Sequence, residues 1–275
     1  MAIYRGMDKP ALDAGYNNTA AVANSAEILA DWDRRSAALA AAHPEHLDLR
    51  YGPRERNRVD YFSAGANTPA LVFIHGGYWQ MRAKETFRFL ATGPLAHKIS
   101  VALVAYTLAP EATLRDIVGE VDTALTFIAN NVARWGGDGS RIHVSGWSAG
   151  GHLTAMSLSH PAIRGGVAIS GIYDLEPIRL CFLNDKLGLD EAEAAALSPI
   201  RHMPASSPPL MVTYGTGELP ELQRQSREYA AAREAATLPV KLAPLEGHNH
   251  FTILEELASP DGAITALVRE IAGGY

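Results

Sequence analysis

The sequence of 275 residues reads as an α/β protein, a doubly wound and mostly parallel sheet with helices on both faces. Three observations point that way. From Ala70 onward, short apolar runs alternate with longer helix-compatible stretches, the pattern of strands joined by crossover helices. The run Ala70 to Ile74 (A-L-V-F-I) is apolar at every position, as a strand covered on both faces requires. The stretch Arg141 to Leu153 (R-I-H-V-S-G-W-S-A-G-G-H-L) passes from a β-branched run through glycines into a helix-compatible run.

Taken in order, residues 1–18 show no periodicity and end in the polar cluster Tyr16-Asn17-Asn18, which reads as a loop. Residues 19–42 are Ala-rich, with Ile28, Leu29, Trp32 and Leu39 at near-helical spacing, and predict a helix. The alternating runs 46–51 and 58–62 predict a hairpin or adjacent antiparallel strands. Strands follow over 70–74, 101–106, 142–145, 166–170, 210–214 and 240–243, with helical stretches at 86–96, 114–135, 152–158, 221–235 and from Ile264. No repeat or low-complexity linker divides the chain, so residues 1–275 are expected to form a single domain. Residues 1–45 and 176–205 are the candidate lid segments, because sites in such sheets form beyond the carboxyl ends of the strands.

Composition excludes several classes of partner. The formal charge is −6 with no Lys/Arg-rich block, so neither nucleic acid nor an anionic membrane is an expected partner. The opening residues lack the apolar segment of a signal peptide, and the longest uncharged apolar run, Ile99 to Pro110, is too short to span a bilayer. The single cysteine, Cys181, permits no intrachain disulfide and reads as a small buried apolar residue. A cytoplasmic protein acting on a small molecule is the expectation. The sequence specifies no oligomeric state.

Gly146-Trp147-Ser148-Ala149-Gly150 fits G-x-S-x-G in a strand, turn, helix context, where small residues let a strained turn expose the serine hydroxyl. Upstream, His75-Gly76-Gly77-Tyr78-Trp79 follows a central strand. Adjacent glycines leave backbone N–H groups uncrowded, so those of Gly77 and Tyr78, with that of Ala149 after the serine, are the candidate oxyanion donors. The base must come from a facing loop. E-G-H-N-H-F offers His248 and His250, and residue chemistry separates them little. A metal site at the pair is not expected, because no third ligand lies nearby at ligand spacing. The acid belongs in the loop after strand 210–214, where Glu218 lies in the loop proper and Glu221 stands where a helix begins after Pro220. Loop position favours Glu218. His152 reads as packing in the first turn of its helix, and Asp174 as a cap for the next short helix.

These motifs together resemble the kynurenine formamidases, of the hormone-sensitive-lipase-like branch of α/β hydrolases. The resemblance rests on H-G-G-Y-W at 75–79, G-W-S-A-G-G-H-L at 146–153, G-I-Y-D-L at 171–175, the stretch from Glu218 and H-F-T-I at 250–253. It implies the α/β-hydrolase fold, Ser148 as nucleophile, Glu218 as acid and His250 as base, with no cofactor or metal. Vertebrate members have Asp at the position of Glu218 and often His at that of Trp147. The function implied is hydrolysis of a small aryl formamide, amide or carboxylic ester through an acyl-enzyme. A carboxylesterase or thioesterase with an unrelated small acyl substrate is the alternative, and a non-catalytic ligand-binding protein on the same fold a second one. Tyr16, Asn17, Trp79 and Trp147 are the candidate substrate-binding residues. Aromatic rings at such positions suit an aromatic substrate and are equally well accounted for by packing.

Overall fold

The computed structural model describes residues 1–273, and eight strands form one sheet. Three helices precede it: α1 (Lys9–Gly15), α2 (Asn18–Ala21) and α3 (Ser25–Ala42). α1 lies in the stretch read as a loop. Its signals are local, an Asp8 side chain accepting from Ala11 N at 3.0 Å and Pro10 in the first turn, and with only Leu12 buried it has no apolar stripe to reveal it. The helix expected over 19–42 is interrupted after Ala21, where Val22 turns extended.

The sheet elements follow closely on expectation. β1 (Leu49–Arg50) and β2 (Arg58–Phe62) pair antiparallel, and β3 (Thr68–Ile74) is the first central strand. The segment expected as one helix over 86–96 is a 3-10 turn, Lys84–Ala91, running into α4 (Thr92–Ala96). After β4 (Ser100–Val104), α5 (Leu114–Asn131) opens with a capping box between Thr113 and Asp116. β5 (Gly137–Trp147) is longer than its apolar stretch, because its start is partly solvent-facing, and it leads into α6 (Ala149–Ser157) and β6 (Ile163–Ile169). The interval before β7 (Leu210–Gly215) holds α7 (Glu176–Leu180), α8 (Asn184–Leu187) and α9 (Glu191–Ala196). The N-cap of α7 is Leu175, which has no side-chain cap bond; Asp174, expected as the cap, stands one residue earlier, its Oδ1 3.3 Å from Glu176 N, and also accepts from the Tyr4 hydroxyl. α10 (Pro220–Ala235), β8 (Val240–Leu245), α11 (Glu255–Ala258) and α12 (Ala263–Ala272) complete the chain.

The strand order is β1-β2-β4-β3-β5-β6-β7-β8. β2 pairs antiparallel with β1 and β4, and every other pairing is parallel. Each face carries its own core. In β3, Ala70, Val72 and Ile74 point into one, with the apolar faces of α5 and α6, while Leu71 and Phe73 point into the other, with Trp32 of α3 and Ile264, Leu267 and Val268 of α12. Parallel pairing sends the carboxyl ends of β3, β5, β6, β7 and β8 to one edge. Among the described residues no helix is long and apolar enough to cross a membrane.

Candidate active site

The elbow is built by steric demand. Ser148, between β5 and α6, has φ 58 and ψ −117, a conformation that L-residues rarely adopt. Its N–H donates to Ile169 O at 2.8 Å, tying the turn to β6. A Cβ on Gly146 would lie 2.3 Å from Gly150 O, and one on Gly150 would lie 1.9 Å from Ile74 O. Both glycines therefore let α6 pass against the sheet. Gly150→Ala is expected to destabilise the fold by at least about 3 kcal/mol, a fall of roughly 6–10 °C in Tm, since the atom met is backbone and cannot swing aside. A drop under ~2 °C in a thermal melt would contradict this account of the elbow.

The loop after β3 is wound into left-handed backbone, with φ 109 at Gly77, 51 at Tyr78 and 59 at Trp79. Gly76 touches the elbow: a Cβ there would lie 2.6 Å from the Trp147 ring and 3.1 Å from Ser148 Cβ. Gln80 N and Met81 N both donate to Gly77 O at 3.0 Å, closing the turn. The N–H groups of Gly77 and Tyr78 have no acceptor among the described residues, and that of Ala149 opens α6, where no intrahelical acceptor exists. His75 anchors the loop from below. Its ring stacks on Tyr106 at 4.3 Å, its Nδ1 meets Gly76 O at 2.7 Å, and the Tyr106 hydroxyl donates to His75 O at 2.9 Å.

The facing loops bring an acid and a base together. Glu218, after β7, meets His250, after β8, with Oε2 3.0 Å from Nδ1. Its other oxygen accepts from Gly215 N at 2.7 Å and from the Ser170 hydroxyl at 2.5 Å, so the carboxylate is held at both ends. Both side chains are buried. Gly217 N donates to His248 O at 3.0 Å and zips the two loops to each other. The Ser148 hydroxyl makes no hydrogen bond to His250, and hydrogen bonds between groups of this kind are often long before a substrate is bound. Glu221 is engaged elsewhere, ion-paired to Arg224 at 2.7 Å, and His248 faces Glu256 at 3.4 Å. Ser170 escaped the sequence reading; its signal is its position at the carboxyl end of β6, beside the strand that leads to the acid.

The side chains proposed to bind substrate sit differently from expectation. Trp147 is 3% exposed, and its ring lies under His250 rather than in an open cleft, because alternation along β5 turns it into the core that holds Trp32. Its Nε1 donates to His250 O at 2.8 Å, so it fixes the backbone of the histidine. Tyr16 is buried, with its hydroxyl in contact with Glu221 and Gln225, and only its carbonyl turns to the site, accepting from the Tyr78 hydroxyl at 2.6 Å. Asn17 is exposed and caps α2 through Ala20 N. Its neighbour Asn18 is buried and donates to the Tyr78 hydroxyl at 2.7 Å. Trp79 is fully buried, edge-on to His152 at 5.1 Å.

Three of the four buried histidines that lie off the Glu218 pair are strongly perturbed. Burial pushes His75, His143 and His152 each down to about 4, so all three are neutral in the fold. The unfolded chain, with an ordinary value near 6.5, binds more protons between those limits. Their contribution to stability is therefore complete above about pH 6.5 and is lost as the pH falls toward 4. Tm is expected to fall from pH 6.5 to 5, with a slope about a third shallower in His143→Leu. Equal slopes in the two proteins would refute the linkage. Cys181 is buried, and burial raises its thiol to about 11, far from a reactive thiolate. Among the described residues no group of three or more His, Cys, Asp or Glu is placed to hold a metal ion.

Residues 62–161, which span the glycine-rich loop after β3 and the elbow, match the family model described as BD-FAE. The chain is 32% identical to a kynurenine formamidase of Danio rerio over 82% of each chain, and 29% identical to that of Drosophila melanogaster over 81% of this chain and 80% of the relative. A solved structure from Silicibacter sp. TM1040, provisionally described as a thioesterase, superposes with a TM-score of 0.84 at 30% identity, covering 94% of this chain and 98% of the other. An esterase of Pyrobaculum calidifontis has the same fold, with a TM-score of 0.70 at 21% identity over 90% and 92% of the two chains. With that identity running along most of both sequences, and with the mostly parallel sheet and elbow described above, this chain belongs to the kynurenine formamidase-like α/β hydrolases and is a hydrolytic enzyme.

Proposed function

We propose that the protein cleaves a small aryl formamide or short-chain carboxylic ester through a Ser148-His250-Glu218 triad and an acyl-enzyme. The observation that carries this reading is the Glu218 carboxylate, held by Gly215 N and Ser170 on one oxygen and against His250 Nδ1 on the other, at the sheet edge where Ser148 crowns its elbow. So bound, His250 keeps its proton on Nδ1 and presents Nε2 as base. Ser148 Oγ attacks the acyl carbon as Nε2 takes its proton. The oxyanion is received by the N–H groups of Gly77, Tyr78 and Ala149, each worth roughly 3 kcal/mol in comparable sites. The imidazolium protonates the leaving amine or alkoxide, and the C–N or C–O bond breaks. Water, activated by the same histidine, then attacks the acyl-serine, releasing the acid and restoring the serine.

A small acyl group is supported by the enclosure of the serine, which is 2% exposed and lies close against Gly76. The similarity to kynurenine formamidases supports an aryl formamide. Residues 1–24 and 176–205 are the proposed cover of a single domain. They meet the oxyanion loop through Tyr16 O and Asn18, and through Leu183 O, which accepts from Gln80 Nε2 at 2.7 Å. α3 is excluded from that cover, because its Trp32 is buried in the core. Labelling by a fluorophosphonate at Ser148, with turnover on a panel of formanilides, N-formylkynurenine and aryl esters of graded chain length, tests the reading. Absence of label and of turnover across the panel favours the ligand-binding alternative.

A further inference from the structure

Arg233 carries a charge in a place where charges are seldom left alone. It is 1% exposed, near the end of α10, at the amino-terminal end of β7 and β8, so a full strand length separates it from Ser148, about 20 Å. Its guanidinium is tied to the strand ends through one nitrogen. Nη2 donates to Ser207 Oγ at 3.1 Å and to the carbonyls of Pro208 and Pro239 at 3.2 Å, all neutral acceptors, and the Tyr229 ring lies 6.0 Å from Cζ. Nε is buried with no partner, the Tyr229 side chain shares a hydrogen bond with the guanidinium, and among the described residues no carboxylate pairs with Arg233. A buried cation without a counter-charge is costly, whereas an anion seated against it gains a desolvated ion pair.

Beside this guanidinium is a cavity of about 220 Å³. At ~30 Å³ per water it has room for about seven waters, the size of a small organic acid. Arg233 forms one part of its lining, with hydroxyls of Ser159 and Ser206, and Met156 and Leu158 at the end of α6 supply apolar surface. If Arg233 served only to tie the strand ends together, Nη2 alone would suffice. That role leaves the buried Nε, and the mostly apolar space beside Arg233, without a use.

We propose that this cavity is a second ligand site, for a small organic carboxylate whose head pairs with Arg233 and whose short apolar body lies on Met156 and Leu158. The inference is independent of the catalytic reading. Its test is thermal melting of the full chain with phenylacetate and hexanoate, beside their neutral amides. The carboxylates are expected to raise the midpoint by about 3–5 °C at ten times Kd, and the amides not to do so. Arg233→Met removes the charge. Ala155→Leu fills the cavity from its α6 wall and leaves the strand ties intact, so it decides the matter even if Arg233→Met does not fold. Loss of the shift in Ala155→Leu, with turnover unchanged, supports the site. A shift that persists in that variant places the ligand elsewhere, the catalytic centre included, and overturns the proposal. So do equal shifts from acid and amide, and the absence of any shift at tens of millimolar carboxylate.

Discussion

Ser148→Ala is expected to lower kcat by about 10⁶-fold, the scale on which removing the nucleophile of a serine hydrolase acts, while leaving the fold in place. Alanine keeps the N–H to Ile169 O and fits the space beneath Gly76. What disappears is the oxygen that forms the covalent bond, and the remaining rate reflects the oxyanion donors and substrate binding alone. Glycine makes a second, sharper variant. Residue 148 has φ 58 and ψ −117, which costs an L-residue about 1–3 kcal/mol and glycine much less. Ser148→Gly is therefore expected to be as inactive as Ser148→Ala and to melt higher. Stopped assays on the best substrate of the panel, with melts of all three proteins, check both points. Turnover within ~10-fold of wild type in either variant removes Ser148 from the chemistry.

The second large effect is expected at the acid. Glu218→Gln should reduce kcat by about 10⁴-fold, as loss of the orienting carboxylate does in comparable triads. One carboxylate oxygen is filled by two donors, Gly215 N and the Ser170 hydroxyl. An amide can satisfy those donors only with its carbonyl oxygen, which turns its NH₂ toward His250 Nδ1. That nitrogen must then accept, and the proton moves to Nε2, where the base is needed unprotonated. The imidazolium formed during attack also loses its partner. Glu218→Asp restores the charge at shorter reach, and the resemblance to formamidases that carry Asp there leads us to expect most of the activity to return. A Gln variant as active as the Asp variant would refute the role assigned to Glu218. Glu221→Gln serves as a control, because its carboxylate is committed to Arg224 and Tyr16. It is expected to lose stability rather than turnover.

Local constraints were legible in the sequence and long-range ones were not. The elbow could be read because its glycines answer to atoms a few residues away or on the neighbouring strand: Gly146 against Gly150, and Gly150 against Ile74. The strands of the parallel sheet could be read because burial on both faces leaves continuous apolar runs. α1 was missed because seven residues with one buried side chain carry no period, and the 3-10 segment at 84–91 because its apolar spacing imitates a helix.

By itself the sequence determined the α/β class, the serine on its turn, the glycine-rich donor loop, and a pair of loops that had to hold an acid and a base. Those features depend on bond geometry and on neighbours in the chain. Loop position already favoured Glu218 over Glu221, but only the tertiary structure showed its carboxylate against His250 across 32 positions, Ser170 on its other oxygen across 48, and Trp147 bracing His250 across 103. Tyr16 was sent the other way, its ring toward α10 and its carbonyl toward Tyr78. Alternation along a strand says that Trp147 and Ser145 share a face, but which face is roofed by Trp32 and which by α5 is set when the helices dock. The direction of a side chain at the site is a property of that packing, so Trp147, adjacent to Ser148 in sequence, supports His250 and does not line an open pocket.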